Sequence, residues 1–116
     1  MALDKVEQAA ALEALLNEAE IDFLNESYVA AVARSVVSRP VVDARPITQE
    51  LLRVMIESGG FVAGELEAEG FVPWDGTRAD WLSKIDAKWN DWGASDPTPG
   101  SIVWLDVPSD LADREV

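Results

Sequence analysis

The sequence predicts an α+β fold in which helices come first and a small antiparallel sheet comes second. Three segments with helical periodicity fill the first half of the chain, and a glycine-containing hairpin follows at 61–76. A fourth helix and a short alternating segment complete the order. Helices followed by strands are typical of α+β folds, and 116 residues suit one hydrophobic core. We therefore predict a single domain over residues 1–108 and a polar, frayed tail over 109–116.

Apolar periodicity predicts the first two helices. The first, ALDKVEQAAALEALLNEAE, repeats apolar residues every three or four positions. Its predicted buried stripe is Val6, Ala9, Leu12, Leu16 and Ala19. After a break near residues 21–22, NESYVAAVARSVV begins with Asn25, a residue type that caps helix N-termini. Its valines and alanines again recur at helical spacing, which predicts a second amphipathic helix.

The third helix is predicted over ITQELLRVMIESGG, with Thr48 as its cap and two glycines at its end. Before it, Pro40 and Pro46 enclose VVDAR, which should be extended because a residue preceding proline avoids helical angles. Leu51, Leu52, Met55 and Ile56 form the apolar side of this helix.

The second half of the chain predicts strands around one more helix. FVAGEL and FVPW should pair as a hairpin with a turn through Glu69 and Gly70. Thr77 and Asp80 have the spacing of a capping box, and Gly93 stands where a helix would end. The segment IVWLDV alternates like a strand, so we expect it to join the hairpin in a sheet on which the fourth helix packs.

Three helices followed directly by a two-stranded wing resemble a winged helix-turn-helix layout. GGFVAGEL, GFVPW, a Trp-bearing helix and PTPGSIVWLDV are also similar to a recurrent type of small acidic bacterial protein, over about residues 47–107. That resemblance implies an architecture and carries no activity, cofactor or binding residue. The third helix offers Gln49 and Arg53 but also Glu50 and Glu57, so it has no net positive charge and DNA binding is not expected.

Composition excludes several classes of function. The net charge of −13, from 22 acidic and nine basic residues, would repel a phosphate backbone, which argues against nucleic-acid binding. Cysteine and histidine are absent, which removes disulfides, thiol nucleophiles and His-based sites, and no carboxylate pair has catalytic spacing. No loop of the DxDxDG type offers a metal site. We expect a cytoplasmic, non-enzymatic protein with no cofactor, no metal and no membrane segment.

The hairpin FVAGELEAEGFVPWDG carries four carboxylates and no basic residue. Tryptophan is common at interface hot spots, and a Trp beside an acid suits a basic side chain. The predicted partner-binding residues are Glu65, Glu67, Glu69, Trp74, Asp75, Asp91 and Trp92, with Trp74 or Trp92 as the exposed anchor. We therefore expect this chain to be a module that binds a basic protein partner. An immunity or antitoxin-like protein is one example of such a module. The alternative is a winged-helix scaffold that self-associates and does not bind DNA.

Overall fold

The chain folds in the order helix, strand, two helices, hairpin, helix, strand. The structure is a computed structural model and describes residues 3–37, 43–58, 60–93 and 97–107. Its elements are α1 (Lys5–Ala19), β1 (Leu24–Asn25), α2 (Glu26–Val36), α3 (Arg45–Glu57), β2 (Val62–Glu67), β3 (Gly70–Pro73), α4 (Arg78–Trp92) and β4 (Trp104–Asp106). The predicted α+β class, with a helical core, a hairpin, a fourth helix and a C-terminal strand, is confirmed. The tail predicted over 109–116 lies outside the described residues.

The four strands form one antiparallel sheet in the order β1-β4-β2-β3. The last strand therefore lies in the interior of the sheet, where Leu105 is paired with Ala63 of β2 on one side and with Leu24 of β1 on the other. Pairing of the C-terminal strand with the hairpin was predicted, although the strand is shorter than the segment 102–107. Strand β1 was not predicted, because two residues cannot show an alternating pattern.

Helix α1 buries a different face from the one predicted. Its buried residues are Glu7, Ala11, Leu15 and Ala19, whereas Val6 is 79% exposed. Alanine and leucine occur all around this helix, so the sequence does not define one apolar stripe. The N-terminus is fixed locally, because the Asp4 side chain accepts the backbone N–H of Glu7 at 2.7 Å and the Glu7 carboxylate accepts that of Asp4 at 3.0 Å. This reciprocal bonding is a capping box, which orients the helix before any packing is considered.

Helices α2 and α3 differ in how well their starts were predicted. Asn25 caps α2 as expected, since its side chain accepts the backbone N–H groups of Ser27 and Tyr28. The prediction that Thr48 caps α3 is wrong, because the helix starts at Arg45 and Thr48 is buried inside it. The Thr48 hydroxyl instead donates to the Ala44 carbonyl at 2.6 Å. Proline is tolerated in a first helical turn, so Pro46 lies inside α3 instead of ending an extended segment.

The hairpin forms as predicted, with its turn one residue earlier in the chain. Strands β2 and β3 pair from Gly64 with Pro73 to Glu67 with Gly70, which leaves Ala68 and Glu69 in the turn. Gly70 has a φ of 123°, a conformation that residues with a side chain rarely adopt.

Helix α4 has the predicted ends and joins the helical core to the hairpin. Thr77 and Asp80 form the capping box, and Gly93 ends the helix with a φ of 94°. The Trp81 indole N–H lies 3.2 Å from the Trp74 carbonyl and 3.1 Å from that of Asp75, both within donating distance. Thus α4 packs on the hairpin, as expected for a helix covering one side of the sheet. No helix in the described part of the chain is long and apolar enough to cross a membrane.

A buried carboxylate connects the two halves of the chain. Glu26, at the start of α2, is 1% exposed. Its oxygens accept the backbone N–H groups of Gly100 at 2.8 Å and of Ile102 and Val103 at 3.1 Å each. These bonds hold the segment leading into β4 against the helical core. A carboxylate that accepts several backbone N–H groups is well compensated for its loss of water.

Candidate functional site

The predicted acidic cluster of the hairpin does not act as one unit. Strand β2 places Glu65 and Glu67 on the same side of the sheet, whereas Glu69 lies in the turn. The Glu65 carboxylate accepts the Trp74 indole N–H at 3.0 Å and forms an ion pair with Lys88 at 3.2 Å. Glu65 is therefore compensated by the protein itself. Glu67 and Glu69 are exposed to solvent.

Trp74 is used inside the fold and is not an exposed anchor. It is 8% exposed, and two lysines of α4 lie over its ring. The Lys84 Nζ atom is 4.3 Å from the ring centroid and the Lys88 Nζ atom is 5.2 Å away. The cations that we expected a partner to supply to Trp74 thus come from α4. This corrects the prediction for Trp74; of the two proposed anchors, Trp92 is the exposed one, at 40%.

The remaining predicted residues lie at opposite ends of α4. Asp75 is exposed just before the helix begins, whereas Asp91 and Trp92 are at its last turn. A helix of 15 residues is about 22 Å long at 1.5 Å per residue. The structure therefore separates the predicted site into a hairpin part and a distant α4 part, which a single small contact would not cover.

Sequence reasoning missed a surface on the far side of the sheet. Side chains alternate between the two sides of a strand. On the inner side of the sheet, Leu105 is paired with Leu24 and Ala63, and all three residues are fully buried. The opposite side, here called the outer face, carries Phe23, Val62, Leu66, Phe71, Pro73, Trp104 and Asp106, all of them half-buried or exposed. The signal was present in the alternation of β2 and β4, but β1 had to be known before Phe23 could be assigned to the same face.

Aromatic rings on the outer face stack on one another and pack against glycines. The rings of Phe23 and Phe71 stack with centroids 5.7 Å apart and an interplanar angle of 16°. Phe71 also covers Gly64, where a Cβ atom would lie 2.7 Å from its Cζ atom. Trp104 covers Gly100 equally closely, because a Cβ atom at Gly100 would lie 2.7 Å from the Nε1 atom of Trp104. These contacts fix the rings in place while leaving part of each exposed.

An acidic depression lies at the β1 end of the outer face. It has a volume of about 240 Å³, and its side chains include Glu20, Ile21, Asp22, Phe23 and Asp106. Phe23 and Asp106 are on neighbouring strands of the sheet. Ile21 is 81% exposed, so an apolar group stands at the rim beside the carboxylates. No lysine or arginine of the described residues lines this depression.

The charge distribution of the molecule agrees with this arrangement. None of the four strands contains lysine or arginine, whereas β2 and β4 contribute Glu65, Glu67 and Asp106. The basic residues of the described segments lie in helices α1 to α4. Within residues 3–37, 43–58, 60–93 and 97–107, no group of three or more acidic side chains is placed to hold a metal ion.

Comparison with known proteins gave no match. No protein-family model fits the chain, and no curated protein and no solved structure is similar to it.

Proposed function

We propose that this protein is a non-enzymatic, cytoplasmic module that binds a basic protein partner on the outer face of its sheet. One observation carries the proposal, namely that the half-buried Phe23 ring, stacked on Phe71, adjoins the carboxylates of Glu20, Asp22 and Asp106. None of these carboxylates forms an ion pair with a lysine or arginine of the described residues. An arginine or lysine side chain entering it would lie beside the Phe23 ring and pair with the acids. The proposal moves the contact from the hairpin acids to the β1 end of the sheet.

Net charge supports a cationic partner. A chain of net charge −13 repels a second copy of itself and attracts basic surfaces, and such attraction raises association rates by about 10-fold or more at low salt. Proteins that act on nucleic acids carry basic surfaces because they hold phosphates. An immunity or antitoxin-like role, in which this module covers such a surface, is the concrete form of the proposal. The exposed tip residues Glu67 and Glu69 would add to the steering of the partner.

A comparison of two charge-matched variants tests the proposal. The test variant is Glu20→Gln, Asp22→Asn and Asp106→Asn. At positions 22 and 106, asparagine keeps the side-chain oxygen that accepts the backbone N–H of the following residue. The control variant is Glu13→Gln, Glu57→Gln and Asp86→Asn, at exposed helical positions. Each variant removes three negative charges.

Immobilised wild-type protein and both variants would be used to capture partners from the native host at low and at high salt. We expect a basic protein that elutes with salt, that the control variant retains, and that associates about tenfold more slowly with the test variant. Equal capture by both variants, or capture of proteins that are not basic, would show the proposal to be wrong. Reversible self-association in sedimentation, lost in Phe23→Ser, would favour the scaffold alternative instead.

A further inference from the structure

A second site lies away from the outer face, between helices α2 and α3. A cavity of about 130 Å³ opens there, and its walls include Arg34 of α2, Arg45 and Thr48 of α3, and Trp89 of α4. At about 30 Å³ per water molecule, this volume equals roughly four waters. It therefore has room for one carboxylate or phosphoryl group, while the remainder of a larger molecule would extend into solvent.

Two arginines, Arg34 and Arg45, line this cavity, and neither forms an ion pair with a carboxylate of the described residues. The chain has 22 acidic and only nine basic residues, so a basic side chain would ordinarily find an acid nearby. Among the described residues, however, the one ion pair is that of Lys88 with Glu65. Arg34 is exposed, and Arg45 is held over the Trp89 ring with its Cζ atom 5.7 Å from the centroid. The Arg45 guanidinium donates to the Gly93 carbonyl, and its other N–H donors have no acceptor among the residues that the structure describes.

Trp89 provides an independent observation. It is 4% exposed, and its indole N–H is buried with no hydrogen-bond acceptor in the part of the chain that the structure describes. An unsatisfied buried donor is unfavourable and uncommon in folded proteins. The other indole N–H donors of the inner tryptophans, Trp74 and Trp81, both have acceptors. Because Trp89 also lines the cavity, an oxyanion bound there is the candidate acceptor for this N–H group.

One wall of the cavity is acidic, and its carboxylate oxygens are already hydrogen-bonded within the protein. Glu26 contributes to the wall, and its oxygens accept three backbone N–H groups from residues 100, 102 and 103. The Ser27 hydroxyl also donates to the Glu26 carboxylate, at 3.4 Å. At physiological ionic strength, acids more than about 8 Å away are largely screened. The charged lining residues are thus two arginines and one glutamate, so the lining of the cavity has a net positive charge.

We propose that this cavity binds a small molecule through a carboxylate or phosphoryl oxyanion. Arg34 and Arg45 supply the charge and the hydrogen bonds, and the Trp89 indole supplies a neutral donor. Planar guanidinium groups suit both kinds of oxyanion. The site is separate from the outer face of the sheet, so it does not depend on the proposed protein partner.

Nuclear magnetic resonance of the ¹⁵N-labelled protein tests the proposal directly. The five tryptophans give five indole N–H signals, and Trp89→Phe, or backbone assignment if that variant does not fold, identifies the signal of Trp89. Inorganic phosphate and acetate would be titrated separately, with sodium chloride at matched ionic strength as the control. We expect one of the two oxyanions to shift the Trp89 signal saturably. A response to phosphate assigns a phosphoryl ligand, and a response to acetate assigns a carboxylate.

Two arginine variants complete the test. Arg34→Gln should weaken the binding about tenfold, since a lost charge-assisted hydrogen bond is worth about one such factor. Arg53→Gln makes the same charge change at an exposed position of α3 that lines a different groove, and it should leave the affinity unchanged. The proposal is overturned if neither oxyanion shifts the Trp89 signal beyond the effect of chloride, or if both variants bind equally. Arg34→Gln should still capture the basic partner, which separates this result from that of the outer face.

Discussion

Among the described residues, Glu26 makes the side-chain hydrogen bonds that span the longest stretch of sequence. It bonds backbone groups 74 to 77 residues further along the chain. Replacing it with alanine would leave three N–H groups without their acceptor, two of them buried. We predict that Glu26→Ala lowers the free energy of unfolding by about 3–5 kcal/mol, at the upper end of single substitutions.

Urea unfolding followed by circular dichroism measures this loss. Glu13→Ala is the matched control, because Glu13 is an exposed residue of α1 and its removal should change stability by less than about 0.5 kcal/mol. If the two variants were equally stable, the bonds of Glu26 would not hold the segment before β4.

Tyr28 offers a titration that no other residue obscures, because it is the only tyrosine. Its hydroxyl donates to the Glu18 carboxylate at 3.3 Å. Loss of solvent, then the charge of Glu18 and this hydrogen bond, raise the pKa of Tyr28 above the usual value of 10.0. The folded state holds the proton more tightly than the unfolded state does. The stability gained is therefore complete below pH about 10 and is lost as pH rises through the folded pKa.

Ultraviolet absorbance of the tyrosinate follows this titration. We expect a midpoint above that of the protein unfolded in guanidinium chloride. Glu18→Gln should lower the folded midpoint without bringing it fully to the unfolded one, because desolvation is the larger cause. A folded midpoint at or below the unfolded one contradicts the prediction.

Among the elements, the hairpin depends on close packing at Gly64. A Cβ atom there would lie 2.3 Å from the Val72 carbonyl oxygen and 2.7 Å from the Phe71 ring. Gly64→Ala should therefore separate β2 from β3 and lower the free energy of unfolding by about 1–3 kcal/mol. Gly60→Ala is the control, since the nearest atom to its Cβ is the Ser58 hydroxyl at 3.4 Å.

Thermal unfolding of both glycine variants distinguishes packing from chain entropy. Alanine stiffens the unfolded chain equally at either position, so only the contact at Gly64 differs. A Gly64→Ala variant as stable as Gly60→Ala would mean that Phe71 can move away from the sheet at no cost. The stacked Phe23 ring would then not be held in position either.

At the scale of the whole molecule, the net charge of −13 opposes compaction. Raising the ionic strength from about 10 mM to about 150 mM shortens the Debye length from about 30 to about 8 Å. We predict that the urea midpoint rises over this range. A variant with exposed acids neutralised, Glu13→Gln with Glu67→Gln, should start higher and respond less to salt. No change with salt in the wild-type protein would contradict the prediction.

Features determined by neighbouring residues were predictable from the sequence. The caps at Asn25 and at Thr77 with Asp80, and the end of α4 at Gly93, each depend on residues within one helical turn. The hairpin depends on one turn. Such signals need no knowledge of the rest of the chain.

Features that depend on distant residues were not predictable. The buried face of α1 requires the positions of α2, α3 and β1. The burial of Glu26 and the assignment of Phe23 to the outer face require the position of β4. Trp74 shows the same limit. Its neighbour Asp75 was visible in the sequence, but the acid that accepts its indole N–H is Glu65 and the lysines over its ring come from the next helix. Of the predicted hairpin residues, Glu65 and Trp74 have partners within the protein itself.

The interior position of β4 has a consequence for synthesis on the ribosome. Strand β1 and the hairpin both pair with β4, so neither gains that neighbour until residue 106 has left the exit tunnel. Until then, the nascent chain presents two strand edges with open hydrogen-bonding groups, which are prone to wrong pairing. The emergence of β4 thus joins β1 and the hairpin into one sheet in a single step, and folding of the sheet during synthesis must wait for this strand.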